Sequence, residues 1–353
     1  MTKILKNVHW FNIIVPIIAV ILGLLVGAII MLLTGYNPIL AYQSILESVF
    51  LQPYYTGETI RAIIPLILTG LAVAFAFRTG LFNIGVEGQL LVGWFAAVAV
   101  SIMFSGLPKL ILLPLAIIVS ALAGGLWGFI PGLLKARLKV HEVIITIMMN
   151  YIALYTTNYL IKHFLYAEGE KTPNIPEAAS LASTFLSNLT QGSRLHWGII
   201  VALLAALIVW FLLWRTTKGY ELRAVGYNPH ASRYAGMNVK NNIVLSMVIS
   251  GALAGVAGSM EGLGTYQYMM INSTFIGIGF NGIAVALLGM NTSIGVIIGA
   301  ALFAILQTGS ITMQSTAGVP TEIVSIIIAV IIFFIGSSYI IRWCLLRVTK
   351  GGK

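Results

Sequence analysis

"FRTGLFNIGVEGQLLVGW", Phe77 to Trp94, decides how this chain is read. It sets Arg78, Asn83, Glu87 and Gln89 in a strongly apolar neighbourhood and puts Gly80, Gly85 and Gly88 among them. Glycine weakens a helix interior by about 1 kcal/mol relative to alanine. A carboxylate at the bilayer centre costs at least about 2.5 kcal/mol on insertion scales, so it must face protein or a water-filled cavity. Polar groups and helix breakers together point to a helix that starts or opens inside a membrane.

The rest of the chain supplies the membrane. Hydrophobic residues make up 59% of its 353 positions and charged residues 8%, against about 25% charged in soluble domains. Apolar runs of about 20 residues recur along the whole length, each long enough to cross the hydrocarbon core. A strand barrel would show short alternating segments instead. The expected fold class is therefore all-α and polytopic, one transmembrane domain over 1–353. Spans are expected near 12–34, 61–77, 82–104, 110–133, 141–163, 198–214, 243–263, 279–290, 293–310 and 321–341. The first run follows Lys3 and Lys6 and has no small-x-small site close after it, so it reads as a retained span.

Charge sets the orientation. A net charge of +10 could suit nucleic acid, but its distribution follows the membrane instead. With the N-terminus in the cytoplasm, Arg61, Lys109, Lys162, Lys171 and Arg194 fall outside, and the other fifteen of the 20 basic residues fall inside. The last span must then run inward, to leave Arg342, Arg347, Lys350 and Lys353 in the cytoplasm. By parity, 279–290 and 293–310 both cross or both fold back. That allows ten spans or eight, with ten favoured and 279–290 short. Cys344 is the single cysteine, so no disulfide framework exists.

The opening stretch has an echo. "NIGVEG" at 83–88 matches "GIGFNG" at 277–282, and "HEVIITIMMNY" at 141–151 resembles "TEIVSIIIAVI" at 321–331. The pairs keep their order, so 61–163 and 243–341 read as two repeats, inverted relative to each other. Inverted repeats with broken helices mark transporters. Around them lie an N-terminal span and outer segment (1–60), an outer loop (164–197), a linking span (198–214), a cytoplasmic loop (215–242) and a tail (342–353). Within the cytoplasmic loop, Asn228 and Pro229 suit a cap and a first helical residue, so a short helix is expected there.

Individual residues admit two readings. Glu87 either caps a bent helix or lines a solute path. Asn150, Tyr151, Asn158, Asn281 and Gln307 either bond between helices or meet solute. Trp94, Trp127 and Trp197 suit the core or the interface belts. His141–Glu142 begins like a zinc-protease helix, but Ile145 stands where the second ligand belongs. Glu142 instead suits the first turn of a helix. The five histidines are scattered, and no phosphate-binding G-x-x-x-x-G-K-[ST] occurs. An intramembrane enzyme is thereby disfavoured, and any ATP would be bound by another chain. A proton-coupled carrier using Glu87 with Glu261 or Glu322 is an alternative.

Residues 219–258, "GYELRAVGYNPHASRYAGMNVKNNIVLSMVISGALAGVAG", resemble the coupling segment of permeases from ribose-type and nucleoside-type ABC importers. "GLFNIGVEGQLLVGWFAA" at 80–97 resembles the early signature of the nucleoside branch, and "GIGFNGIAVALLG" at 277–289 its second-half counterpart. The resemblance implies a ten-helix, cobalamin-importer-like permease fold in a bacterial cytoplasmic membrane. It also implies a second homologous permease, an ATPase with two fused nucleotide-binding halves and a lipoprotein that delivers nucleosides. The permease itself would do no bond chemistry and hold no cofactor. By the same resemblance Glu221 to Gly236 seats in the ATPase, with Arg223, Ala224, Gly226, Asn228, Pro229, Ala231 and Gly236 matching the family pattern. Asn83, Glu87, Gln89, Asn150 and Asn281 are then the candidates for the translocation path, and a simple-sugar permease is a further alternative.

Overall fold

In hydrocarbon, an isolated segment can satisfy its own backbone groups only as a helix. Consistent with this, the computed structural model is helical nearly throughout the residues it describes, 2–337. The helices are α1 (Thr2–Leu33), α2 (Pro38–Leu51), α3 (Pro53–Arg78), α4 (Val86–Met103), α5 (Lys109–Leu138), α6 (Glu142–Phe164), α7 (Thr184–Leu189), α8 (Gly198–Arg215), α9 (Thr217–Tyr227), α10 (Pro229–Tyr234), α11 (Val239–Met260), α12 (Ile278–Leu288), α13 (Ser293–Ala317) and α14 (Thr321–Gly336). A π-helical turn, Glu261–Thr265, extends α11. Eight helices are long and apolar enough to cross a membrane, and α2, α12 and α14 are shorter apolar helices. The end of the expected 321–341 span, the tail 342–353 and Cys344 lie outside the described residues.

Two boundaries differ from the sequence reading. The outer part of 1–60 contains a helix, α2, which starts where the Asn37 side chain accepts from the Ile39 and Leu40 N–H groups and Pro38 takes the first helical position. Helix α3 begins at Pro53 rather than 61, and Glu58 on its first turns is buried.

Helix α11 packs against α5, α4 and α3, and α3 in turn packs against α12 and α13. Helix α11 thus lies across α4 and α5, and α3 across α12 and α13. Glycines permit the approach. A Cβ on Gly124 would collide with the Gly251 carbonyl oxygen, one on Gly255 with that of Ser120, and one on Gly258 with that of Leu90. Trp94 is core: it is 1% exposed, stacks on Tyr266 and donates to the Tyr268 carbonyl at 3.0 Å.

Two contacts define the ends of this body. At one face, Arg78 closes α3 and donates to the Asn291 and Met290 carbonyls at 2.8 and 3.2 Å, just past α12. At the other, Thr172 N donates to Met269 O and Ile271 N to Glu170 O, both at 2.8 Å. Residues 266–277 and α12 together therefore run from one face to the other. Helix α12 alone, with 11 residues, is only about 16 Å long at 1.5 Å per residue.

The loop 164–197 is latched to α3. Glu58 accepts from the Arg194 backbone N–H at 2.8 Å, from its guanidinium at 2.8 and 3.2 Å, and from Arg61 at 2.9 Å. Beside this latch His196 is buried, its Nδ1 accepting from Gly198 N at 3.1 Å. Burial, followed by the charge of Arg61, pushes the His196 imidazole down to about 4. Between about pH 6.5 and 4 the unfolded chain therefore binds a proton that the folded chain refuses. Stability is fully present above about 6.5 and falls by up to about 3 kcal/mol as pH drops to 4. Thermal unfolding of the detergent-solubilised protein at pH 7.5 and 5 should show this loss, and His196→Gln should flatten it. An unchanged pH slope in His196→Gln would assign the acid sensitivity elsewhere.

Candidate translocation site

The glycine-rich turn before α4 is built by three amides. Asn83 accepts from Gly85 N at 2.9 Å and donates to Gln89 at 2.9 Å and to the Ser250 hydroxyl at 2.8 Å. Ser250 passes the chain on to the Ala72 carbonyl at 2.6 Å. Asn150, on α6, accepts from Gly88 N at 2.8 Å and donates to Ile84 O at 3.0 Å. These bonds occupy free N–H groups at the start of α4, where no helical carbonyl can reach. Asn83, Gln89 and Asn150 are all at most 1% exposed.

Glu87 is fully buried and turns toward the start of α12. One carboxylate oxygen accepts from Gly277 N at 2.7 Å and the other from Gly279 N at 2.6 Å. Those groups begin α12. Gly277 sits at φ +89°, a left-handed conformation that favours glycine, and a Cβ on Gly279 would lie 2.6 Å from Glu87 Cα. Helix α4 enters from the Arg78 face and α12 from the opposite side, so their N-termini meet inside the body. Both helix dipoles point their positive ends at this carboxylate. The alternatives posed by the sequence were the helix's own break and the solute path. The geometry adds a third: Glu87 caps the counterpart helix.

Asn281 differs from the other four candidates. It is half-buried and opens into a cleft of about 320 Å³ formed by α12, α13 and α14, together with Gln307, Ser310, Thr321 and Ser325. Near it a row of rings follows α6. Tyr151 meets Phe275 edge-on at 5.0 Å, and Phe275 meets Phe280 at 5.7 Å. Tyr151, Tyr155 and Tyr159 are 48, 68 and 58% exposed. Sequence reasoning weighed Tyr151 and Gln307 for solute contact but left them out of the translocation-path candidates. The four-residue spacing of the tyrosines, one helical face, was the available signal.

At the Arg78 face, α9 and α10 form a compact pair. Glu221 accepts from Lys218 at 2.9 Å and from Asn242 at 3.1 Å, and the Lys218 ammonium holds its carboxyl below the usual range. The Arg223 guanidinium lies 4.2 Å from the Trp214 ring, and Arg78 lies 5.7 Å from the same ring. The Ala224 carbonyl accepts from Asn228 N at 3.0 Å. Gly226 rests directly on the Arg78 carbonyl, and Gly80, at φ +74°, faces it from the α3–α4 turn. Asn228 caps α10 by accepting from His230 N and Ala231 N at 3.0 Å, with Pro229 first in the helix as expected. Gly236, at φ +81°, closes it with a bond to Arg233 O at 3.0 Å. Tyr227 and Tyr234 are 86 and 95% exposed, so the pair presents unpartnered rings away from the helical body.

No cluster of three or more His, Cys, Asp or Glu side chains that could hold a metal occurs among the described residues. A polytopic helical body with two helix starts meeting inside it, and a capped helix pair at one face, suits a transport permease, and comparison with known proteins points to the same class. Residues 55–336 match the family described as the permease component of the branched-chain amino acid transport system. The chain is 60% identical to the guanosine ABC transporter permease protein NupP of Bacillus subtilis, over 97% of this chain and 98% of that one. It is 43% identical to the nucleoside ABC transporter permease protein NupB of Lactococcus lactis, over 94% and 92% of the two chains. A second guanosine ABC transporter permease protein of Bacillus subtilis, NupQ, is 29% identical over 68% of this chain and 76% of its own length. The chain belongs to this family of ABC-transporter permeases.

Proposed function

We propose that this chain is a permease subunit of an ATP-driven nucleoside importer. The observation that carries the reading is the 60% identity to a guanosine permease along nearly the whole of both chains. Similarity to both NupP and NupQ supports a path shared with a second, homologous permease. A lipoprotein outside delivers the nucleoside to the face carrying 164–197. An ATPase with two nucleotide-binding halves docks on α9 and α10 in the cytoplasm, where both chain termini also lie.

The helix pair suits that dock. Tyr227 and Tyr234 supply exposed rings, and aromatic anchors carry much of the energy at protein interfaces. A groove of about 510 Å³ runs between the start of α9 and residues 235–238. When the ATPase halves close on ATP, the pair moves with them and the permeases rock between two states. In this reading the crossing is made by ten spans in two inverted halves of a cobalamin-importer-like fold, counting α12 with 266–277 as one span and α14 as the last. The capped state of Glu87 weighs against a proton-coupled carrier, because both oxygens already serve backbone N–H groups.

Uptake of radiolabelled guanosine into proteoliposomes should require the ATPase, the second permease and ATP. It should cease in a folded variant in which 223–236 is replaced by a flexible linker. Uptake by this chain alone, driven by a proton gradient, would overturn the reading.

A further inference from the structure

The side-chain amides of the helical body fall into two groups. Asn83, Gln89, Asn150 and Asn158 are each bonded within the fold. Asn281 and Gln307 make no side-chain hydrogen bond among the described residues, and both line the cleft between α12, α13 and α14. Both are half-buried, and each amide keeps two donors and two acceptor lone pairs that no side-chain bond of the fold occupies. Two such amides facing one cleft of an apolar body are placed to bond a polar occupant.

The cleft is not a packing seam. Helix α14 seals against α1 through Ile327 and Ile331, which fill the space beside Gly27 and Gly23. It turns Ser325 and Ala329, on another face, to the cleft. At about 320 Å³ the cleft falls within the roughly 300–1,000 Å³ of small-molecule sites. Phe280, next to Asn281, ends the ring row that runs through Phe275 to Tyr151 and along α6.

We infer that the Asn281–Gln307 cleft is a solute-contacting subsite that reads the hydrogen-bonding edge of a nucleoside base during passage. This rests on the nucleoside reading above. The ring row that ends at Phe280, one residue before Asn281, lies outside the cleft lining and offers apolar faces on which any base can stack as it approaches. The amides present donors and acceptors, and a site built to hydrogen-bond discriminates against a solute that leaves those groups unpaired. Selectivity therefore resides partly in this chain and not only in the protein that delivers the solute.

The test uses the assembled transporter in membrane vesicles. Cys344→Ser removes the single cysteine, and Ser325→Cys then places a thiol in the cleft. A water-soluble methanethiosulfonate should label it during ATP turnover, and guanosine should slow labelling about fivefold or more. Asn281→Ala and Gln307→Ala should each lower guanosine uptake roughly tenfold and shift the guanosine-to-cytidine uptake ratio, with ATP hydrolysis retained. Absence of labelling in every state, or uptake and ratio within about twofold of the parent, would overturn the subsite. If the alanine variants do not assemble, Gln307→Asn, shorter by one methylene, takes their place, and an unchanged ratio there also overturns it. A parent transporter that takes up no nucleoside overturns the nucleoside reading instead.

Discussion

Glu87→Ala is expected to destabilise the protein more than any other single change to the polar groups described. It leaves Gly277 N and Gly279 N without acceptors at a site with no solvent exposure. Each orphaned N–H costs about 1–3 kcal/mol, so the pair costs about 2–6. Glu87→Gln keeps one acceptor oxygen but aims an amide donor at the second N–H, for roughly half that loss. The measurement is the unfolding midpoint in detergent, set beside guanosine uptake per folded transporter. A cap predicts that the midpoint falls while uptake per folded molecule in the glutamine variant stays within about threefold. A solute ligand predicts the opposite pattern, and an unchanged midpoint in Glu87→Ala would remove the capping role.

Gly226→Val is expected to uncouple the transporter while leaving the helical body intact. Any Cβ at 226 meets the Arg78 carbonyl oxygen, which is backbone and cannot swing aside. Helix α9 must lift from the α3–α4 turn. ATP-driven uptake should fall by roughly tenfold or more, with the unfolding midpoint within a few degrees of the parent because the α3–α4–α11 packing is untouched. Gly236→Ala is the contrast. Nothing lies within 4 Å of a Cβ there, and the residue needs only its positive φ, a local strain of about 1–2 kcal/mol. Equal uptake losses in the two variants would show that the contact at Gly226 carries no special part of the coupling.

The long spans were legible in the sequence because a bilayer demands about 20 apolar residues of each. Asn228–Pro229 was legible because a cap and its helix are adjacent in the chain. The coincidence of glycine and polar residues around Glu87 correctly marked an interrupted region. What it could not reveal was the partner, since Gly277 and Gly279 present only backbone N–H groups 190 and 192 residues away. Helix α2 was missed because its 14 residues interleave Gln43, Ser44, Glu47 and Ser48 with apolar ones. Of the five path candidates, four turned out to be bonded inside the fold and one faces a cleft. Whether an amide is paired depends on packing between distant helices, so Gln307 and Asn150 look alike in sequence.

The bond between Glu87 and Gly279 also fixes an order of events during synthesis. A chain made at about 5–20 residues per second reaches Gly279, 192 residues after Glu87, some ~10–40 s later. For that interval Glu87 has neither of the backbone N–H partners that hold it in the finished fold. Capping is therefore a late step that waits on α12. A chain ended before residue 277 would lack the cap and should be cleared by quality-control proteolysis, whereas one ended after α13 would have it in place.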